Sequence, residues 1–238
     1  NYNHSYYKQL FENYGFKVYF NQLCYSLDPQ KKLLDKLYAR HAEIKSNSDY
    51  RYDHLRKSNL AKYAEDFRIV YNKAWVKHGG GKELEPKQVL GFFNAMKSIV
   101  DETAISYVYY KNEPVACWIN VPDINAIFKG FNGKLRMLEK IKFLWHFKTG
   151  KIKKLIGIVF GVVPEHHGKG VDSFMIVESA NKIQKDKKYF DYEIQWVGDF
   201  NPKMMSVAES LGTHISRTLI TYRYLFDREK EYKRHPIL

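Results

Sequence analysis

Gly157-Ile158-Val159-Phe160-Gly161-Val162-Val163-Pro164-Glu165-His166-His167-Gly168-Lys169-Gly170-Val171-Asp172-Ser173 is the stretch on which the fold turns. Leu155–Val163 is an unbroken apolar run with glycines, the pattern of a central strand covered on both faces. It enters a glycine-rich turn, and a helix is expected from about Gly168 to Lys187. A strand, a tight turn and a helix opening can aim several backbone N–H groups and a helix dipole at one anion, forming a pyrophosphate cradle. The glycines let the backbone approach phosphates with no Cβ in the way. The plainer alternative is an ordinary strand-to-helix turn. Neither the Gly-x-x-x-x-Gly-Lys-Ser/Thr of a P-loop nor the Gly-x-Gly-x-x-Gly of a dinucleotide fold is present, so those two nucleotide readings drop out.

Downstream, a strand over Tyr192–Val197, a helix from Pro202 to Leu211 ending at Gly212, and a strand over Ile215–Phe226 are expected. Pro202 suits the first helical position, where a missing N–H costs nothing. Upstream, Ala104–Tyr110 and Pro114–Val121 flank Lys111-Asn112-Glu113 as a hairpin. Before them, Asn59 can cap a helix with Leu60, Tyr63, Phe67, Val70, Tyr71 and Trp75 at helical spacing, Gly79-Gly80-Gly81 breaks the chain, and a helix covers Pro86–Ile99. A short strand over Tyr50–Leu55 opens this unit. The order of elements implies a mixed α/β sheet.

At the start of the chain, a helix over Ser5–Tyr14 is stopped by Gly15 and followed by an aromatic strand over Phe16–Leu27. A polar helix over Lys32–Glu43 comes next. His4–Gly15 echoes Asn201–Gly212: each has a polar start, a short helix, a glutamate three residues before glycine and then a strand.

Length and composition suit a globular chain: 238 residues, 45% hydrophobic and 27% charged. No apolar run approaches the roughly 20 residues of a membrane helix, so no membrane partner is expected. Asn1-Tyr2-Asn3-His4 shows no basic region leading into an apolar one, so no signal peptide is visible, and the absence of a starting Met suggests the C-terminal part of a longer chain. Two cysteines, Cys24 and Cys117, each in an apolar stretch, suggest a reducing, cytoplasmic compartment. The scattered histidines show no metal-ligand spacing, and no metal is expected. The net charge of +13 gathers between Lys134 and Lys154, where eight Lys and Arg face Glu139 alone. A solvated helix with Leu138, Ile141, Leu144 and Trp145 as its buried stripe is the first reading, and steering of an anionic ligand the second. Nucleic acid ranks third, with no supporting motif.

Val162-Val163-Pro164-Glu165-His166-His167-Gly168-Lys169-Gly170-Val171 resembles the acetyl-CoA signature of the GNAT superfamily of N-acyltransferases, a Val-x-Pro-x-x-Arg/Gln-x-x-Gly-x-Gly/Ala run. Glu193–Pro202 is similar to that superfamily's penultimate strand and the Asn opening its last helix. The flanking Tyr71-Asn72-Lys73-Ala74-Trp75 and Val121-Pro122-Asp123-Ile124-Asn125 are similar to a bacterial subgroup of unknown substrate. The resemblance implies an α/β fold with a mixed, mostly antiparallel central sheet flanked by helices. It implies a GNAT domain over 49–227, with 1–28 as the closing helix and strand of an upstream GNAT-like domain, 29–48 as a linker helix and 228–238 as a tail. On that reading a chain begun near Asn47 should fold.

The resemblance also assigns roles. Phe160, Gly161 and Val162 would hold the pantetheine arm and acyl carbonyl. Gly168, Lys169, Gly170, Val171, Asp172 and Ser173 would hold the pyrophosphate, and Asn201 would contact the cofactor arm. His167 stands where Arg or Gln is usual. Asp172 takes a Gly/Ala position, with helix capping as its benign role. Ala208 stands where the family often has a Tyr acid. Glu193 or Asp199 would serve as general base, directly or through water, against plainer roles as a strand and a turn residue. Solvent exposure is the expectation for His166 and His167. The implied activity is acyl-CoA-dependent N-acylation, with acetyl-CoA as co-substrate, of an unidentified amine by direct attack on the thioester. The alternative is a degenerate GNAT-like CoA-binding or scaffold module. A dimer and pairing with an upstream sister domain both stay open.

Overall fold

The computed structural model describes residues 3–76 and 82–238, so the expected break at Gly79-Gly80-Gly81 lies outside the described residues. The fold is α/β, with a mixed, mostly antiparallel sheet flanked by helices. By contact density the chain divides into a larger unit, Leu27–Glu193, and a smaller one made of Asn1–Ser26 and Ile194–Leu238.

In the larger unit, β2 (Tyr50–His54), β3 (Ile105–Tyr110), β4 (Glu113–Pro122) and β5 (Lys154–Val162) form an antiparallel run in that order. The β3–β4 hairpin turns at Lys111 (φ 49°) and Asn112 (φ 70°). Two consecutive left-handed residues match the strands' own twist, which is why Asn sits here. Helices α3 (Leu60–Tyr71) and α4 (Pro86–Met96) bury Tyr63, Phe67, Val70 and Phe93. Asn59 stands at the N-cap of α3 but makes no side-chain cap bond, contrary to expectation. Instead a short 3-10 turn, Lys57–Asn59, leads into the helix.

Helix α2 (Asp35–Lys45), in the stretch read as a linker, buries Leu37, His41 and Ile44. It packs on α7 (Val171–Asp186), where His41 Nε2 lies 2.8 Å from Glu178 Oε1 and its ring stacks on Phe174. Two further helices, α5 (Asn125–Phe128) and α6 (Met137–Lys148), precede β5. The expected buried stripe of α6 is not buried: Leu138, Ile141, Leu144 and Trp145 are exposed. The face turned inward is instead Glu139, Phe143, His146 and Phe147, with Phe143 stacked on Phe128 at 5.3 Å. Likewise β5 is not covered throughout, since Ile158 is exposed.

In the smaller unit, α1 (Tyr6–Tyr14) ends at Gly15 (φ 104°) with Gly15 N–H donating to Glu12 O and Phe16 N–H to Phe11 O. This pair of bonds is the Schellman closure that a glycine without a Cβ allows. Strand β1 (Lys17–Leu27) then pairs antiparallel with β7 (His214–Arg223), from Lys17 opposite Arg223 to Ser26 opposite His214. The strand order here is β6 (Asp191–Gly198), β1, β7. Helix α8 (Pro202–Ser210) is followed by Gly212, also left-handed. Residues 228–238 fold back on this unit: His235 N–H donates to Tyr19 O, Leu238 N–H to Phe200 O, and the His235 and Phe200 rings stack at 4.0 Å.

Candidate functional site

The strand-to-helix turn is the site with the most developed geometry. β5 ends at Val162, a 3-10 turn spans Pro164–His166, and α7 starts at Val171 with Gly170 as its N-cap. Gly168 (φ 72°) and Gly170 (φ 82°) are both left-handed. That conformation penalises a side chain at either position, so the pair of glycines makes the turn. The first bond of α7 runs from Phe174 N–H to Gly170 O, 2.9 Å. The amides of Val171, Asp172 and Ser173 lie ahead of it and lack partners within the helix. Space where a Cβ on Gly168 would stand is open, with no heavy atom within 4 Å. Among the described residues the Ser173 hydroxyl is buried with no hydrogen-bond partner. Amides gathered at a helix N-terminus, with open space beside Gly168, suit an anion such as a phosphate.

Asp172 does not cap α7, because Gly170 holds that position and no side-chain cap bond forms. Its carboxylate lies in the first turn, where the helix dipole favours negative charge. His167 is exposed, as expected, and its Nε2 donates to Val162 O at 2.8 Å, closing the turn from outside. His166, expected in solvent, is buried. Its ring packs edge-on against Tyr50, whose hydroxyl lies 2.8 Å from Nδ1. Burial, then the Lys169 charge, lowers the His166 pKa, and burial, led by the same desolvation, lowers that of His54.

A testable consequence follows from the sign of those shifts. A histidine held below its unfolded value near 6.5 gives stability that is present above that pH and is lost as pH falls. Thermal midpoints should therefore drop between pH 7.5 and pH 5. His166→Gln, which can still accept from Tyr50, should flatten part of that slope. An unchanged slope in the variant would exclude His166 as a source.

Two contacts around this segment join residues distant in the chain, which sequence reasoning could not pair. Arg40 of α2 lies beside Gly170: its Cβ would be 3.6 Å from a Cβ added there, and its side chain is exposed. Trp75, in the π-turn Asn72–Val76 that ends α3, packs directly on Gly161 and stacks on Tyr71 at 5.0 Å. Phe160, Gly161 and Val162 lie along β5 opposite Trp118, Cys117 and Ala116 of β4. Phe160 meets the Trp118 ring edge-on.

The two carboxylates both carry partners. Glu193 is buried on β6, with Oε2 2.8 Å from Lys154 Nζ. Asp199 belongs to the smaller unit, where it accepts from Arg234 at 2.6 Å and from Asn21 at 2.9 Å. Asn201 caps α8, its Oδ1 accepting from Met204 N–H at 3.1 Å, and Ala208 is buried in the same helix. Cys117 is fully buried and burial pushes its thiol pKa up, the opposite of what a nucleophile needs. Among the described residues, no group of three or more His, Cys, Asp or Glu is placed to hold a metal ion.

No family profile matches the chain. Among curated proteins it is similar to the bacterial ceramide synthase of Caulobacter vibrioides, 23% identical over 177 residues, covering 71% of this chain and 45% of that protein. It is also similar to protein YghO of Escherichia coli, 21% identical over 164 residues, covering 66% of this chain and 42% of that one. The chain thus spans less than half the length of these two curated relatives. Among solved structures, the glucosamine N-acetyltransferase region of a fungal multi-domain β-N-acetylglucosaminidase matches with TM-score 0.55 at 13% identity, over 92% of this chain and 22% of that one. A GCN5-related N-acetyltransferase from Sphaerobacter thermophilus matches with TM-score 0.54 at 10% identity, over 92% and 56%. The chain therefore has the GCN5-related N-acetyltransferase fold, an acyltransferase-type fold.

Proposed function

We propose that this chain transfers an acyl group from an acyl-CoA to an amine, and that the turn Gly168–Ser173 is its CoA-phosphate cradle. The observation that carries the reading is the pair of left-handed glycines opening α7 with three amides ahead of the first helical bond. His167 closes the turn, and Lys169 and Arg40 supply exposed positive charge for the phosphates. Phe160, Gly161 and Val162 hold the pantetheine arm and the thioester. Acetyl-CoA is the simplest donor.

The relative named a ceramide synthase extends the reading toward lipids. A ceramide is the N-acyl derivative of a long-chain amino alcohol, so a longer acyl-CoA and a lipid amine are the donor and acceptor classes to test beside acetyl-CoA. The amine nitrogen attacks the thioester carbon, the C–S bond breaks, and CoA leaves as a thiolate that must take up a proton. Glu193, within the larger unit, accepts the amine's proton, directly or through water. An acyl-cysteine is not invoked: Cys24 and Cys117 are both buried, and burial raises the Cys117 pKa, which makes it a poor nucleophile. The second reading, a CoA-binding module without turnover, is favoured by one feature: a buried Ala208 where the family often has a Tyr acid.

Calorimetric titration with acetyl-CoA and with a long-chain acyl-CoA tests the reading. Saturable binding is expected, weakened at least about tenfold by Gly170→Glu, which sets a carboxylate against the phosphates. Arg40→Ala should weaken it by less. Absence of heat and of thermal shift at millimolar CoA ester would sink the proposal. Binding without turnover over a panel of amines would favour the second reading.

A further inference from the structure

We propose that α6 is an interfacial helix that seats the chain on an anionic lipid surface. Soluble helices bury their apolar stripe; α6 turns its stripe outward. Met137 is 71% exposed, Leu138 69%, Ile141 58% and Trp145 62%, and no residue of the helix is fully buried. At about 100° per residue, these four and Leu144 fall within about 120° of the helix circumference. Lys140 and Lys142 flank that arc on its two sides. The opposite face carries Phe143 and Phe147, and Phe143 stacks on Phe128 of α5, which anchors the helix to the larger unit. The apolar face is therefore held outward by packing on its reverse side.

Charge selects the occupant. Eight Lys and Arg against Glu139 alone lie between Lys134 and Lys154. Lys134, Lys142 and Lys151, with Trp145 and His146, also wall a cleft of about 530 Å³ beside the helix. Two copies meeting through this face would bring both sets of cations together with only Glu139 of each to offset them. An anionic bilayer surface instead takes the apolar side chains between its headgroups, while lysine stems run along apolar surface and their ammonium groups stay with the phosphates. Tryptophan suits that boundary, with an apolar ring and one N–H donor. The helix has 12 residues, and among the described residues no helix is long and apolar enough to cross a membrane. The expectation of no membrane partner rested on the lack of a spanning segment, and contact in the plane of the surface runs against it by a different mode.

The inference does not rest on the acyl-transfer reading, and its test needs no acyl-CoA. The 238-residue chain is mixed with phosphatidylcholine vesicles, with or without 30% phosphatidylglycerol, and spun down. Partitioning at 0.1 M salt should be at least about tenfold stronger with phosphatidylglycerol and should fall at 0.5 M salt. Leu138→Ser with Trp145→Ser, or Lys140→Glu with Lys142→Glu, should each remove about tenfold or more of that binding. These side chains are exposed, so thermal midpoint and acyl-CoA titration should stay unchanged and report an intact fold. Equal binding to both vesicle types, or binding unaffected by either double variant, would overturn the proposal. So would a concentration-dependent dimer broken by Leu138→Ser with Trp145→Ser in a chain that ignores vesicles, which would assign the face to a second copy.

Discussion

A chain begun at Asp28 is expected to lose the cooperative unfolding of the smaller unit. Strand β1 is part of that unit's centre: it lies between β6 and β7 in the strand order and pairs with β7 along its length. Its removal strips the β7 ladder of its partner, leaving backbone N–H and C=O groups without the bonds that burial requires. It also removes buried Leu23, Cys24 and Tyr25. Phe20 goes with them, and its ring meets Trp196, Phe200 and His235. Asp199 loses Asn21 and keeps only Arg234 of its two polar partners. Domains are stable by about 5–15 kcal/mol in all, and losing a central strand costs on that order. Near-ultraviolet circular dichroism and a thermal scan of the 28–238 chain check this, with a peptide of residues 3–27 added back in trans. The sequence reading leads to the opposite expectation, a chain that folds from near Asn47. An unchanged melting transition in the truncated chain would support the reading of residues 1–28 as the end of an upstream domain.

The contrast shows what a sequence makes legible. Features set by a few neighbouring residues were readable: Gly15 as a left-handed helix stop, Lys111-Asn112 as a tight hairpin turn, and Gly168 with Gly170 as a turn that only glycine makes easily. Each depends on local φ, and local φ follows residue type. Pairing β1 with β7 joins positions about 200 apart, and no periodicity encodes a partner strand. Arg40 was hidden for the same reason, since packing of α2 on α7 brings it to Gly170. The stripe on α6 shows a further limit. Apolar residues at helical spacing reveal that a helix has two faces, yet which face meets the core is fixed by Phe143 on Phe128. His166 likewise reads as a polar turn residue until Tyr50 covers it.

Replacing Gly161 with valine is expected to displace Trp75, destabilise the larger unit by about 3 kcal/mol and depress acyl transfer further than stability alone explains. A Cβ at position 161 would lie 2.1 Å and 2.5 Å from two carbons of the Trp75 ring. Carbon atoms rest about 3.5–4.0 Å apart, so the ring must leave. Leaving breaks its stacking on Tyr71 and disturbs the π-turn that ends α3. Such turns hold a helix in a less favoured geometry. Trp75 thus covers the middle of the Phe160–Val162 segment proposed to hold the thioester, and its displacement should alter that segment's shape. The clean control is Gly157→Ala on the same strand. Its Cβ would strike the Tyr192 hydroxyl at 2.2 Å, which accepts from Trp118 Nε1 at 3.0 Å and donates to Asn120 Oδ1 at 3.1 Å. Disrupting that buried network costs stability without touching Trp75. Adding Trp75→Ala should then rescue the melting temperature of Gly161→Val by opening the space, and should leave Gly157→Ala unrescued. Melting curves of these four variants and of Trp75→Ala alone read the coupling, and the difference in tryptophan emission between Gly161→Val with and without Trp75 reports the ring's new surroundings. Additive losses for Gly161→Val and Trp75→Ala would mean that the two residues do not compete for one volume, and the packing argument would fail.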